Sequence, residues 1–584
     1  MIGRNRATGT RIRQHIAEKL LPIALAMRML AAIVPANGTR PTGHTRQTGR
    51  FSMTLKRRDV LRGAAGTLAA ARLAAPRLAR AASQSTLTFV PQADLAILDP
   101  IWTTATVTRN HGFLVFDTLF GQDETFKPSL QMAAGATAEA DGKTWTIKLR
   151  PGLLFHDKTP VLGRDCVASL QRWGKRDAFG QALMAATDEI SAPDDTSIRF
   201  RLKKPFPLLP AALSKFTAFI PVIMPERLAK TDAFTQVTEM VGSGPYRFVA
   251  GERNVGNQVV YEKFAAYQPL ESGTPSWTAG PKIANFERVV WKIIPDSATA
   301  SAALQNGEID WWETPPNDYL ALLRKNPNVD VKLIDPTGSV AILRMNQLVP
   351  PFDNPAIRRV VVEAVSQADY MTAVAGTDRS MWRTGVGVFP PDTPFASTDG
   401  LSVFNDKPDY DKVKRDLAAA GYHGEKVVQL TVSDLPVLTA ECAVGADMFR
   451  KMGMNLDEQV MDWGSVVARR AKKDPPDKGG WNVFFTGWSG TDMFNPAGHL
   501  SLRGNGASAW FGWPTAPKIE ELRSAWFDAP DLAAQKKICA EIQTQVLIDV
   551  PYVPLGQYFT LQAYRKSLGG VLTGLPMFWN VKRV

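Results

Sequence analysis

Residues 142–175 read GKTWTIKLRPGLLFHDKTPVLGRDCVASLQRWGK, and the change of period along this stretch decides the fold class. Trp145, Ile147 and Leu149 alternate with Thr144, Thr146, Lys148 and Arg150, which predicts a strand with one apolar and one wet face. Pro151-Gly152 stops it. The apolar run Leu153–Phe155 leads into the polar loop His156-Asp157-Lys158-Thr159-Pro160. From Arg164 the spacing of Val167, Leu170 and Trp173 changes to that of an amphipathic helix. Strand, turn, loop and helix make a packed α/β module.

The same alternation extends outward. Thr86–Pro91 and Ser197–Leu202 read as strands. Val259–Glu262 and Glu287–Ile294 read as two more. Ser297–Leu304 reads as a helix running into Gln305–Trp311. Val241-Gly242-Ser243-Gly244-Pro245-Tyr246 has two glycines spaced by one residue, as phosphate loops do, but Pro245 removes a backbone donor and no G-K-[ST] follows. A tight turn feeding a strand is the expected structure. Within Trp481–Leu500 a short strand over Val483–Thr486 precedes Gly487-Trp488-Ser489-Gly490, a bend that turns a large indole outward.

A chain of 584 residues predicts two or three domains. Its formal charge of +12 suggests a polyanionic partner, yet residues 1–82 hold 16 Lys and Arg against only Glu18 and Asp59. The remainder carries about −2, so no nucleic-acid partner is expected. The basic segment has the build of an export signal. Lys56-Arg57-Arg58-Asp59-Val60-Leu61-Arg62 fits the twin-arginine pattern, Gly63–Ala75 is small and apolar, and Ala79-Arg80-Ala81 offers an A-x-A cleavage site. Export to the periplasm with cleavage near Ala81 is expected, with Met53 a candidate start. The apolar stretch is too short and too interrupted to stay in a membrane. Cys166, Cys442 and Cys539 are too scattered for a disulfide framework or a zinc site and read as buried apolar side chains.

The string LRPGLLFHDKTPVLGRDCVASLQRW closely resembles the signature of family 5 extracellular solute-binding proteins, the dipeptide, oligopeptide and nickel receptors of ABC importers. Further matches follow in the family's order: LDP at Leu98–Pro100, GSGPY at Gly242–Tyr246, GEID at Gly307–Asp310, PPFDNPAIRRVVVEAV at Pro350–Val365, YDKVKRDLAAAGY at Tyr410–Tyr422, and PYVPL at Pro551–Leu555. The resemblance covers about residues 86–565. It implies a helix over Asn110–Phe120 and a helix at Tyr410–Tyr422 stopped by Gly421. It also implies a two-lobed α/β fold of the periplasmic binding protein type (type II-like), with an extra domain on the first lobe. The expected division is 1–82 extension and signal, 83–123 first lobe, 124–235 extra domain, 236–335 first lobe again, 336–542 second lobe, and 543–584 return to the first lobe. The implied function is capture of a peptide or peptide-like small solute between the lobes and its delivery to an inner-membrane permease, by a monomer without cofactor.

The resemblance also supplies candidate ligand contacts. The segment after the LDP turn lines the family's pocket, which nominates Trp102 and Thr104. Arg344 and Asn346 lie on Val340–Asn346, which runs near the hinge in the family. Arg344 could meet a carboxylate bidentately, although alternation leaves either face open. Trp488 is the candidate stacking or cation–π wall. In peptide-binding relatives an aspartate just after the GW pair holds the ligand's ammonium group. Here Thr491 stands at the expected spacing and Asp492 one residue later, so both are candidates. Trp513, in the aromatic run Ala509–Trp513, could cover the pocket. Two other readings set requirements of their own. A nickel or metal-chelate receptor needs a ligand-side histidine, and His499 is the one near Trp488. An exported hydrolase needs a nucleophile and base, yet there is no H-E-x-x-H, C-x-x-C or G-x-S-x-G.

Overall fold

The strand predicted at the head of residues 142–175 forms over Thr144–Leu149, with Ile147 and Leu149 buried and Lys148 exposed. It pairs antiparallel with Ala133–Ala138 on one side and Ser197–Leu202 on the other, in a four-stranded sheet completed by Thr187–Asp194. The helix follows over Gly163–Gly174 and buries Cys166, Leu170 and Trp173 against this sheet, while Val167 stays half-buried. Its first turn is fixed by Asp165, whose carboxylate accepts from the Leu162 N–H (2.8 Å) and the Glu226 N–H (2.8 Å). Two backbone donors that would otherwise be orphaned are thereby satisfied. His156 forms the corner: its Nε2–H donates to the Gly244 carbonyl at 3.0 Å, and burial pushes its pKa down to about 4, so the ring stays neutral. The computed structural model describes residues 85–529 and 531–584. The twin-arginine run, the cleavage site near Ala81 and Met53 lie outside the described residues.

Two larger sheets carry the rest. The first has seven strands in the order Tyr246–Phe248, Gln258–Lys263, Arg288–Lys292, Thr86–Val90, Trp311–Trp312, Leu561–Arg565 and Val329–Leu333. Thr86–Val90 lies at its centre, parallel to both neighbours. The second has six: Trp382–Arg383, Val553–Tyr558, Ser339–Met345, Val483–Ser489, Lys426–Val432 and Asn455–Met461. The chain passes between these sheets twice, at residues 334–338 on the way out and at residues 559–560 on the way back. The two crossings lie side by side. Gly338 has φ +61°, and a Cβ there would stand 2.8 Å from the Tyr558 carbonyl oxygen, so the close approach requires glycine.

Three expectations need correction. Residues 543–552 and Val553–Tyr558 stay with the second sheet, because Val553–Tyr558 pairs with Ser339–Leu343; the return to the first sheet comes after Tyr558, not at 543. The helix placed at Asn110–Phe120 runs instead over Thr106–Val115. Phe116 is extended, and Asp117 is held by Lys282 Nζ at 2.6 Å and the Tyr267 hydroxyl at 2.9 Å, so residues 117–118 and 120–122 become short strands. The strand in the GW region continues past Thr486 through Ser489. The three cysteines are free and buried. Among the described residues no helix is long and apolar enough to cross a membrane.

The LDP turn is pinned from three directions. Asp99, fully buried, accepts from Arg172 Nη1 (3.2 Å) and Nη2 (2.6 Å), from the Val237 N–H (2.8 Å) and from the Ile101 N–H (2.9 Å). The central strand of the first sheet is thus tied to the helix Gly163–Gly174. Removing one member of such a pair strands a buried charge at a cost of about 3–5 kcal/mol. Asp99→Ala is expected to lose stability of that size in urea unfolding, while Asp94→Ala, at the half-buried start of the same turn, loses far less.

Candidate functional site

A cleft of about 430 Å³ opens between the two large sheets, floored by the crossings at Asp335–Ser339 and Tyr558–Thr560. From the side of the first sheet it is walled by Thr104, by Arg109 on the helix Thr106–Val115, and by Glu313 with the segment through Asp318. The opposite wall holds Trp463, Arg470, Trp488, Asp492 and Trp510. The backbone explains these positions. Trp488 projects from the end of the strand Val483–Ser489, where it pairs with Val340. Trp463 opens a helix whose N-cap, Asp462, accepts from the Ser465 N–H; Arg470 lies seven residues on, two turns later on the same face.

The polar groups divide into an answered and an unanswered set. Among the described residues the Arg109 side chain bonds only Asn110 Oδ1, at 3.3 and 3.2 Å, but feels the fields of Asp492, Glu313 and Asp335; burial lowers its pKa. Glu313 accepts from the Gln92 N–H (2.7 Å) and Asn110 Nδ2 (3.0 Å), and burial pushes its pKa up to about 7. Asp335, also raised by burial, accepts from the Thr337 N–H (2.9 Å), the Thr337 hydroxyl (2.6 Å) and the Ser489 hydroxyl (3.1 Å). Asp492 accepts from the Ala218 N–H through Oδ1 at 3.0 Å, while no hydrogen bond among the described residues uses Oδ2. The indole N–H groups of Trp488 and Trp510, whose rings meet edge to face at 5.0 Å, have no acceptor among the described residues. A direct contact already bridges the cleft: Arg470 Nη2 donates to the Thr104 hydroxyl at 3.2 Å.

The cleft lies at the junction of two α/β units, and comparison with known proteins identifies the family. A profile described as "Bacterial extracellular solute-binding proteins, family 5 Middle" matches residues 127–509. The chain belongs to that family. It is 35% identical over 538 residues to the probable peptide ABC transporter periplasmic-binding protein y4tO of Sinorhizobium fredii, covering 91% of this chain and all of the relative. It is 26% identical over 493 residues to the glutathione-binding protein GsiB of Escherichia coli K12, covering 81% of this chain and 89% of the relative. Among solved structures it resembles AgaA of A. tumefaciens R10 in complex with agropinic acid, with TM-score 0.71, 22% identity, and 85% of this chain and 99% of that one covered. It also resembles DppA of Helicobacter pylori in complex with the peptide STSA, with TM-score 0.69, 22% identity, and coverage of 85% and 98%. The α/β periplasmic binding protein fold is therefore established. By its family membership the chain is an extracellular solute-binding protein and not an enzyme.

Within this solute-binding protein, Thr104, Trp488 and Asp492 are brought together on the cleft. The other five candidates are not. Trp102 turns away, its indole N–H donating to the Phe234 carbonyl at 3.0 Å. Arg344 is fully buried and donates to the carbonyls of Phe511, Ser501 (2.8 Å), Pro551 (2.7 Å) and Trp510 (3.0 Å), so it organises the aromatic segment behind the wall. Asn346 is buried against the Trp481 carbonyl at 2.9 Å. The Thr491 hydroxyl bonds Ser489 at 2.8 Å. Trp513 packs on Trp481, leaving Trp510 to line the cleft. The histidine required by the nickel reading is also elsewhere: His499 is buried, bonded to the Val388 carbonyl (3.1 Å) and the Tyr552 hydroxyl (3.0 Å), with its pKa pushed down to about 3 by burial. Among the described residues no group of three His, Cys, Asp or Glu side chains is placed to hold a metal ion.

Sequence reasoning passed over Arg109, Glu313, Asp335, Trp463 and Arg470. For the last two a signal existed, the seven-residue spacing of Trp463 and Arg470, which reads as a surface basic run unless the helix phase is followed.

Glu313 gives a testable consequence. Its folded pKa, about 7, stands above the ordinary 4.5, so between these values the folded state holds a proton that the unfolded state has lost. Stability from this group is therefore fully present at low pH and declines as pH rises toward 7. Urea unfolding is expected to show this decline in the wild type and a flatter profile in Glu313→Gln.

Proposed function

We propose that this protein binds a peptide or peptide-like solute carrying a protonated amine, holds it between two closing lobes, and passes it to an ABC permease in the inner membrane. The observation that carries the amine assignment is Asp492, nearly buried on the cleft wall with no hydrogen bond to Oδ2 among the described residues. A buried carboxylate beside the indole faces of Trp488 and Trp510 suits a cationic group, which gains both a charge-assisted hydrogen bond and cation–π contact. The names of the relatives support the same class, since one is described as a peptide-binding and another as a glutathione-binding receptor.

On this reading the first lobe is built from residues 83–123 and 236–335 and completed by the C-terminal strands, and residues 124–235 form its extra domain. The second lobe runs from 336 through Tyr558. The crossings at 334–338 and 559–560 serve as hinges, and ligand selects the closed arrangement. The protein works as a monomer in the periplasm. It is exported through the twin-arginine run Lys56–Arg62 and cleaved near Ala81.

The amine assignment is checked with an equimolar mixture of dipeptides, presented with free and with N-acetylated amino ends and read by native mass spectrometry. The free-amine set is expected to bind, with acetylation or Asp492→Asn each weakening retention about tenfold or more. Equal retention of acetylated peptides would refute the assignment.

A further inference from the structure

Arg470 is the anomaly of the cleft. It is only 1% exposed, yet among the described residues one of its five N–H donors is used, in the bond to the Thr104 hydroxyl, and Nε is buried with no acceptor. Among the described residues no carboxylate stands within ion-pair distance of it, and burial alone pulls its pKa down to about 9. The other buried arginines differ: Arg172, Arg344, Arg358, Arg503 and Arg523 each make at least three hydrogen bonds. Arg109 makes two bonds, both to Asn110 Oδ1, and lies in the field of Asp492, Glu313 and Asp335 without a close ion pair among the described residues.

What surrounds Arg470 instead is aromatic. Its guanidinium carbon lies 5.1 Å from the ring centre of Trp463, 5.6 Å from Phe484, 5.4 Å from Trp510 and 5.1 Å from Phe511. Rings stabilise the cation but accept none of its in-plane hydrogen bonds, and they exclude the water that would. The leftover donors belong to a residue that lines the cleft. A planar, dry, positively charged fork of this kind matches a carboxylate, which it can hold through two parallel bonds.

We propose that Arg470 is the subsite for a carboxylate of the bound solute, so that the cleft selects ligands bearing an anionic group as well as the amine. This deepens the assignment above and rests on the cleft being the solute site. Whether that carboxylate is a chain terminus or an acidic side chain, the recognising chemistry is the same. Because Thr104 contacts Arg470 from the opposite wall, an anion docked here also reinforces the contact that bridges the cleft.

The test compares wild type with Arg470→Met, which keeps an apolar side chain in the aromatic box and removes the charge. Each is incubated with three defined mixtures and read by native mass spectrometry: dipeptides with free carboxyl ends, the same dipeptides as C-terminal amides, and N-carboxyalkyl amino acids that lack a peptide bond. Wild type is expected to retain free-acid dipeptides about tenfold or more over their amides. If the retained amides are those carrying Asp or Glu, the carboxylate is a side chain and the assignment holds. Arg470→Met is expected to lose the preference, with an unliganded melting temperature no lower than wild type, because removing an unpaired buried charge relieves a cost. Retention of amides irrespective of acidic residues, an unchanged preference in Arg470→Met, or retention from no mixture would overturn the proposal. Retention of the third mixture alone would end the peptide reading and leave the role of Arg470 standing.

Discussion

Asp99 has no access to water, and the cleft depends on the pair it makes. Its carboxylate meets Arg172 and two backbone N–H groups, which joins the central strand of the first sheet, the helix of the signature module and the segment at Val237 at one point. The chain that leaves this point runs directly through Thr104 into the helix that carries Arg109. A fully hydrogen-bonded buried pair contributes little net stability by itself, but it allows few alternative geometries. One wall of the cleft is therefore set by a contact that does not line it.

The opposite wall follows another logic. Behind it Arg344 satisfies four carbonyls and fixes the aromatic segment, while in front Trp488, Trp510, Asp492 and Arg470 present donors, an acceptor and a cation that the protein leaves incompletely matched. Leaving buried polar groups unmatched costs stability in the unliganded protein, and a ligand that matches them recovers the difference. That arrangement suits a receptor, whose task is to hold a solute and release it unchanged. It also accounts for specificity, since a ligand lacking a required group leaves its partner unpaired in a low-dielectric site.

Much of the fold was legible in the sequence because its strongest signals are local. The period change across residues 142–175, the glycine after Asn306 and the LDP turn depend on neighbouring residues alone, and family resemblance linked these pieces in order. Where long-range contacts decide, the reading slipped. Residues 117–122 left the helix because Lys282 and Tyr267 hold Asp117. Val553–Tyr558 stayed with the second sheet because Ser339–Leu343 offers it a register. In the cleft, the GW motif nominated Trp488 and left Thr491 and Asp492 both open, and alternation left either face open for Arg344; the structure puts Trp488 and Asp492 on the cleft and Arg344 behind its wall. Glu313 and Asp335 carry no motif; only the meeting of distant segments makes them neighbours of Arg109.

The central claim is that two α/β lobes, joined by the paired crossings at 334–338 and 559–560, close on a solute. Small-angle X-ray scattering of protein stripped by unfolding and refolding, recorded before and after adding back the solute that co-purified with it, tests this most directly. The account requires the radius of gyration to fall when the solute returns; an identical scattering curve in the two states, with binding verified in the same sample, would contradict it.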